Sequence, residues 1–198
     1  MNQRRRLVIG ISGSSGALYG ARLVEVLHGV PEVETHLVVT RNAELNLEHE
    51  TDRPADYFKR LASVCYDPDD LAAPIASGSF ATDGMIVAPC SMRSLGAIAT
   101  CDTSNLLVRA ADVTLKERRQ LVLLARETPL HLGHLRLMVA VTEMGAIVMP
   151  PVPALYSKPR TIDEMVNHTV GRALDLFGLP NELVRRWAGL PQAREVSH

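Results

Sequence analysis

The stretch from Arg6 to Leu23 constrains this chain most: Arg-Leu-Val-Ile-Gly-Ile-Ser-Gly-Ser-Ser-Gly-Ala-Leu-Tyr-Gly-Ala-Arg-Leu. Leu7, Val8, Ile9 and Ile11 make a short, β-branched apolar run. Gly13 and Gly16 break it, and Leu18, Leu23, Val26 and Leu27 follow at helical spacing. The reading is strand, tight turn, helix. Glycine lets the turn approach a ligand closely, and Ser12, Ser14 and Ser15 bring hydroxyls beside the unpaired N–H groups of a helix start. An anion or a polar ring edge would be held there. The spacing Gly10, Gly13, Gly16 is not the dinucleotide fingerprint, so a plain glycine turn joining the first strand and helix is equally compatible.

The remaining chain repeats the alternation. Glu34 to Thr40 reads as a second strand, Arg41 to Glu50 as a helix, and Tyr57 to Val64 as a short helix after Pro54. Cys65 to Ser79, rich in Pro, Asp, Gly and Ser, reads as loop. Gly84 to Ala88 is a third strand, which Pro89-Cys90-Ser91 turns into a helix through Leu95, Ile98 and Ala99. Asn105 to Arg119 has the pattern of an amphipathic helix. Leu121 to Ala125 is a fourth strand, Leu130 to Met144 a helix, Ala146 to Met149 a fifth strand, and Pro150 to Pro153 a stiff extended connection. Thr161 to Phe177 is a long final helix with Thr161 as N-cap, Glu164 at capping-box spacing and Gly178 as its stop. Such alternation implies an α/β fold, a mostly parallel sheet with helices on both faces. Ligands of such a sheet sit beyond the carboxyl ends of its strands. The polar residues that follow strands therefore matter most: Ser12 to Ser15, Thr40-Arg41, Ser91 to Ser94, Arg126-Glu127 and the approach to Tyr156.

At 198 residues, 46% hydrophobic and 22% charged, the chain suits one domain over 1–198, with 179–198 as a carboxyl-terminal tail. A net charge of -1 gives no electrostatic reason to expect nucleic acid or an anionic membrane as partner. The run Arg4-Arg5-Arg6 is followed too soon by glycine and serine to read as a signal peptide, and no apolar stretch approaches membrane-spanning length. Cys65, Cys90 and Cys101 match no zinc or disulfide spacing, and a reducing cytoplasm is the expected setting. Cys90, after a strand, reads as a small buried residue or as a reactive thiol.

Arg109, Lys116, Arg126, Lys158 and Arg172 are the candidate anion ligands, since a phosphate monoester calls for two or three cations and several donors. Arg109, Asp112 and Lys116 also read as an exposed charge stripe, and Lys116 to Arg119 as cations at a helix end. Arg126 is the most pointed of the five because it directly follows an apolar strand. Glu50 and Glu127 are candidate acid or base groups, each readable as a surface glutamate. His131 and His134 sit three apart without a third ligand at a suggestive spacing, so the site is read as metal-free.

Six blocks carry a family likeness: Gly10 to Gly20, Ala76-Ser-Gly-Ser-Phe, Pro89-Cys-Ser-Met-Arg-Ser-Leu, Arg109 to Arg119, Arg126-Glu-Thr-Pro-Leu-His-Leu and Pro150-Pro-Val-Pro-Ala-Leu-Tyr. In this order, over Leu7 to about Trp187, the chain resembles the UbiX-like flavin prenyltransferases. The resemblance implies a Rossmann-like, three-layer α/β/α flavoprotein fold. It also implies transfer of a dimethylallyl group from dimethylallyl phosphate to reduced FMN, at N5 and then C6, giving prenylated FMN for a UbiD-type decarboxylase. By motif match, Gly13, Ser14, Ser15, Thr40, Ser91, Met92, Arg93, Ser94, Arg109 and Arg126 would hold the flavin. Lys116, Tyr156 and Arg172 would hold the prenyl phosphate, and Ser15, Glu50, Lys116, Glu127 and Trp187 would serve the reaction. A homododecamer with shared sites is implied too.

Departures from the family pattern are Ser14 for alanine, Thr40 for serine, Arg93 for lysine and Ser94 for threonine, and the stretch Thr100 to Asn105 departs more. Two other readings stand beside this one. A flavin-dependent peptidyl-cysteine decarboxylase would carry a Pro-x-Met-Asn-x-x-Met-Trp motif, which this chain lacks. A non-catalytic FMN-binding accessory subunit would have no need of Ser15, Glu50, Lys116, Glu127, Tyr156 and Arg172.

Overall fold

A computed structural model describes residues 4–189. The strands are β1 (Arg5–Ile11), β2 (Val33–Val39), β3 (Val64–Tyr66), β4 (Gly84–Cys90), β5 (Gln120–Ala125) and β6 (Ile147–Val148). The helices are α1 (Ala17–His28), α2 (Arg41–Thr51), α3 (Ala55–Leu61), α4 (Met92–Ala99), α5 (Leu106–Lys116), α6 (Leu132–Glu143) and α7 (Ile162–Leu176). One sheet runs β3-β2-β1-β4-β5-β6 with every neighbouring pair parallel. Helices cover both faces, so the middle strands are wet on neither, which is why they read as nearly unbroken apolar runs.

Period-two geometry divides the core. Leu7, Ile9 and Ile11 of β1 face α1, α3 and α7 together with Leu37, Ile86 and Val122. Val8, Met85, Val87, Leu121 and Leu123 face the other way, against Leu95 and Ile98 of α4, Leu107 and Ala111 of α5 and Val141 of α6. The chain runs outward from β1 through β2 to β3, then returns to place β4 on the other side of β1. The order reverses between β1 and β4, and their carboxyl ends open the crevice where such folds bind ligands.

Three expectations need correction. The stretch read as loop after Cys65 begins inside a strand: β3 pairs with β2 through His36–Val64, Leu37–Cys65 and Val38–Tyr66. It is short, at the sheet edge, with Val64 and Cys65 exposed, so no apolar pattern marks it. β4 runs on through Pro89 to Cys90, because the ladder resumes at Cys90–Ala125 after a register shift. The Thr161 hydroxyl does accept from the Glu164 N–H, at 3.1 Å, but the Glu164 carboxylate reaches back to the N–H of Arg160, one residue beyond the cap.

Candidate active site

The turn after β1 is tied to the end of β4 by one side chain. The Ser12 hydroxyl donates to the Pro89 carbonyl at 2.9 Å and accepts from the Ser91 N–H at 2.8 Å, while the Ser12 N–H also donates to Pro89 at 3.2 Å. Ser12 is fully buried. Ser91 then caps α4, its hydroxyl accepting from the Ser94 N–H at 3.2 Å and lying 3.1 Å from the Ser94 hydroxyl. Met92 and Arg93 follow in the first turn, Arg93 exposed. At the other edge, the Arg126 N–H donates to the Cys90 carbonyl at 3.2 Å and the Thr40 N–H to Ile11 at 3.0 Å. Four strand ends thus share one backbone frame. Gly13 packs on the start of α2, where a Cβ would come within 2.5 Å of the Asn42 Cβ.

The amino end of α1 differs from expectation. Gly16 starts the helix at φ 98, a conformation that favours glycine, and its N–H donates to both carboxylate oxygens of Glu50 at 3.0 Å. The protein's own anion therefore occupies the position read as an anion site. Glu50, read from sequence as an acid or base, acts here as the cap of a helix that has no side-chain cap of its own.

Two hydroxyls in this crevice have no partner. Ser14 Oγ and Thr40 Oγ1 are buried and unbonded, one after β1 and one after β2. Leaving a buried hydroxyl unpaired costs about 1–3 kcal/mol, a cost that a polar ligand edge removes. Tyr19, one turn into α1, is held above its ordinary pKa by burial, partly opposed by the Arg126 guanidinium. Exposed serine and arginine groups at the rim, with unpaired hydroxyls below, suit a planar, hydrogen-bonding ring that bears a phosphate. The site fits FMN on these grounds.

Of the remaining candidates, Glu127 directly follows Arg126 at the carboxyl end of β5, while the others lie elsewhere. Lys116 is in the last turn of α5, four residues before β5 begins, and so stands at the amino edge of the sheet. Its Nζ pairs with Glu117 at 2.6 Å. Arg109, two turns earlier, donates to the Ala76 carbonyl at 3.1 Å and to Asp112 at 2.7 Å. Glu127 is exposed, its carboxylate accepting from the Thr128 N–H at 3.0 Å. Arg172 lies on α7, whose end is also at the amino edge, since the Leu176 and Phe177 carbonyls accept from Gln120 and Arg5.

Tyr156 and Trp187 come together with the α7 face. Their rings meet edge to face at 5.5 Å, and Tyr156 also meets His168 at 5.7 Å. Asp175 organises this face, accepting from Arg172 at 2.9 Å, from Arg186 at 2.7 and 2.8 Å and from Asn181 at 3.1 Å. These bonds, that of Arg186 foremost, hold its carboxyl below the ordinary range despite partial burial. Burial, seconded by Arg172, holds the His168 imidazole below its usual pKa.

Sequence reasoning overlooked Ser12 as the bond between strands, and His168 and Asp175 as organisers of the α7 face. The i, i+4 and i, i+3 spacing of His168, Arg172 and Asp175 is the signal that was available. Cys90 is fully buried, its thiol pushed up to about 12 by desolvation, and is a core residue. His131 caps α6, its Nδ1 accepting from the Gly133 N–H at 3.0 Å, with the His134 ring 3.6 Å away. Among the described residues, no group of three or more His, Cys, Asp or Glu is placed to hold a metal.

The Flavoprotein family model matches residues 1–174. Flavin prenyltransferases named UbiX from Escherichia coli and Thauera aromatica are 54% and 52% identical to this chain over 187 and 184 residues. Each alignment takes in 93% of this chain, with 99% and 94% of the relative. The crystal structure of AnUbiX in complex with FMN and dimethylallyl pyrophosphate superposes with a TM-score of 0.93 at 46% identity, covering 96% of this chain and 100% of that one. A dodecameric FMN-dependent UbiX-like decarboxylase from Escherichia coli superposes at 0.91 and 47% identity, over 93% and 100%. Cypemycin decarboxylase, at 0.60 and 18% identity over 75% and 86%, shares the fold.

Proposed function

The chain belongs to the UbiX flavin prenyltransferases, within the flavoprotein family, and we propose that its β1–β4 crevice binds reduced FMN as a substrate for dimethylallyl transfer. The observation that carries this is the pair of buried, unpaired hydroxyls of Ser14 and Thr40 at the strand-order reversal. Reduced FMN supplies two nucleophilic ring positions, N5 and C6. Gly13, Ser14, Ser15, Thr40, Ser91 to Ser94 and Arg126 line its place, with Arg109, which stands apart from them on α5 within one chain, contributing a further cation from a neighbouring copy.

The donor is dimethylallyl phosphate, held by Lys116, Tyr156 and Arg172. When its allylic carbon–oxygen bond breaks, the electron pair leaves with phosphate, so fixed cations stabilise the transition state more than the substrate. The proton lost from N5 would pass by way of Ser15 toward the departing phosphate; Glu127 would give a proton to the prenyl C=C as its far carbon joins C6 and take back the one that C6 loses. Trp187 shields the allylic cation with its π face. Glu50 holds the amino end of α1 beside Ser15.

Within one chain the two sets stand apart: Lys116 and Arg172 lie toward the amino edge and the flavin residues at the carboxyl ends. A site that uses both takes them from neighbouring copies, which supports a homododecamer with shared sites. Leu132, Leu135 and Val139 of α6, all about half exposed at i, i+3 and i+7, offer an apolar face for such contacts. Residues 1–198 act as one domain, with 179–198 as its tail. The product serves a UbiD-type decarboxylase, and the setting is cytoplasmic; no helix among the described residues is long and apolar enough to cross a membrane.

Anaerobic incubation with reduced FMN and dimethylallyl phosphate, followed by mass spectrometry of the extracted flavin, tests the proposal. A gain of one five-carbon unit is expected, and unmodified FMN with either phosphate or diphosphate donor overturns it. Glu127→Gln is expected to bind FMN and stall product formation; normal turnover by that variant removes the role given to Glu127.

A further inference from the structure

A second concave site is lined by none of the residues assigned above to the flavin or the prenyl phosphate. A cavity of about 520 Å³ is bounded by the segment after Tyr156, by α7 and by the tail. Lys158 and Arg160 enter it from the first, His168 from the second and Arg185 from the third. Tyr156 and Arg172 do not line it. Among the described residues, none of the three cations has a carboxylate partner. The Arg185 guanidinium donates to the Ser157 carbonyl at 3.4 Å, which holds the tail across the opening.

Two carboxylates share the lining, and one is committed: Glu164 accepts from the Arg160 N–H. Glu182 stays exposed. His168 is only 9% exposed, and its Nδ1 is buried without a partner. A neutral imidazole still has one N–H to donate. Lys158 itself sits at φ 52, a left-handed conformation uncommon for a residue with a side chain. Such outliers gather at ligand sites.

We propose that this groove is a subsite for a phosphate-class anion, inorganic phosphate, diphosphate or the head of a phosphate ester, bound by Lys158, Arg160 and Arg185 over the His168 imidazole. Three exposed cations around an imidazole with one N–H to give match the several oxygens of such an anion. The volume exceeds what one phosphate fills and lies within the range of small-molecule sites. The assignment does not rest on the flavin reading, because it shares no residue with the groups assigned there.

The test titrates full-length, FMN-free protein with inorganic phosphate and, separately, with diphosphate, following heat by calorimetry and the histidine ring resonances by NMR. His168→Gln identifies the His168 signal. A saturable shift of that signal is expected with at least one of the two anions. Replacing both Arg160 and Arg185 by Gln should weaken binding by about 100-fold, since each charge-assisted contact is worth about tenfold or more. Arg172→Gln should leave it within a fewfold, and an unchanged unfolding midpoint checks that each variant is folded. No saturable His168 shift with either anion overturns the proposal. So does a shift that survives loss of both arginines but vanishes in Arg172→Gln, which places the anion with the donor-phosphate residues instead.

Discussion

The β1–β4 crevice and the α7–tail face are held together by opposite means. In the crevice, backbone bonds to backbone: Ser12 to Pro89, Thr40 to Ile11 and Arg126 to Cys90, with the Ser12 hydroxyl buried between them. On the α7 face, side chain bonds to side chain. Asp175 is 16% exposed, but its partners Arg172 and Arg186 are 50% and 57% exposed. Water and salt compete for the second set and not for the first. The crevice is shaped before any ligand arrives, whereas the α7 face depends on charges that another surface or an anion can recruit.

The sharpest way to break this contrast is to disturb α1. A Cβ on Gly20 would lie 2.2 Å from the Ala88 carbonyl oxygen and 2.8 Å from Ile11, so backbone meets backbone there. Gly20→Val is expected to cost about 3 kcal/mol, read as a lower urea midpoint. Wild-type stability in that variant would mean that α1 does not rest on β4 so closely and that the crevice is not prebuilt.

Ser12→Ala comes next. It removes two hydrogen bonds and leaves the Ser91 N–H unpaired, an expected loss of about 1–3 kcal/mol accompanied by weaker FMN binding, measured by quenching of flavin fluorescence. Undiminished FMN affinity in folded Ser12→Ala would dissolve the link between the two strand ends and the ligand.

Asp175→Asn should have the smallest effect on global stability, about 1 kcal/mol, because its arginine partners are half in water. Trp187 emission should report it directly as the tail loosens. The pH dependence follows from the direction of the shifts. With the carboxyl held low in the fold, the contribution of Asp175 is fully present above its unfolded value of 3.8 and disappears as pH falls through the lowered folded value. His168 and His36, both held below 6.5 chiefly by burial, favour the fold above 6.5, and that advantage declines as pH drops below it. Acid titration should therefore show an early histidine phase that weakens the fold with Trp187 still docked, then a later phase in which Trp187 is released. Release of Trp187 in the early phase alone would show that Asp175 does not anchor the tail.

Much of this was legible in residue order. β1, β4 and β5 are buried on both faces along most of their length and so read as nearly unbroken apolar runs, whereas in β2 only Leu37 to Val39 do, with Thr35 and His36 buried beside them. The serines and arginines after those strands followed from topology alone. β3 was not legible, because Val64 and Cys65 at the edge carry no pattern and pairing with β2 defines them. Nor was the partner of Glu50: a surface helix with a glutamate near its end is commonplace, and only the packing of α2 beside α1 sets that carboxylate on the Gly16 N–H. Ser12 reads in the sequence as one of three ligand-facing hydroxyls, yet its own is spent in joining β1 to the end of β4.

By itself the amino-acid sequence determined the alternation of strand and helix, the glycine turn and the family, since these rest on local periodicity, backbone sterics and ordered motifs. Tertiary structure decided which hydroxyls are spent and which remain unpaired, where Glu50 points, and that Lys116 and Arg172 stand apart from the crevice. Those are distances between residues far apart in the chain, and no local pattern encodes a distance.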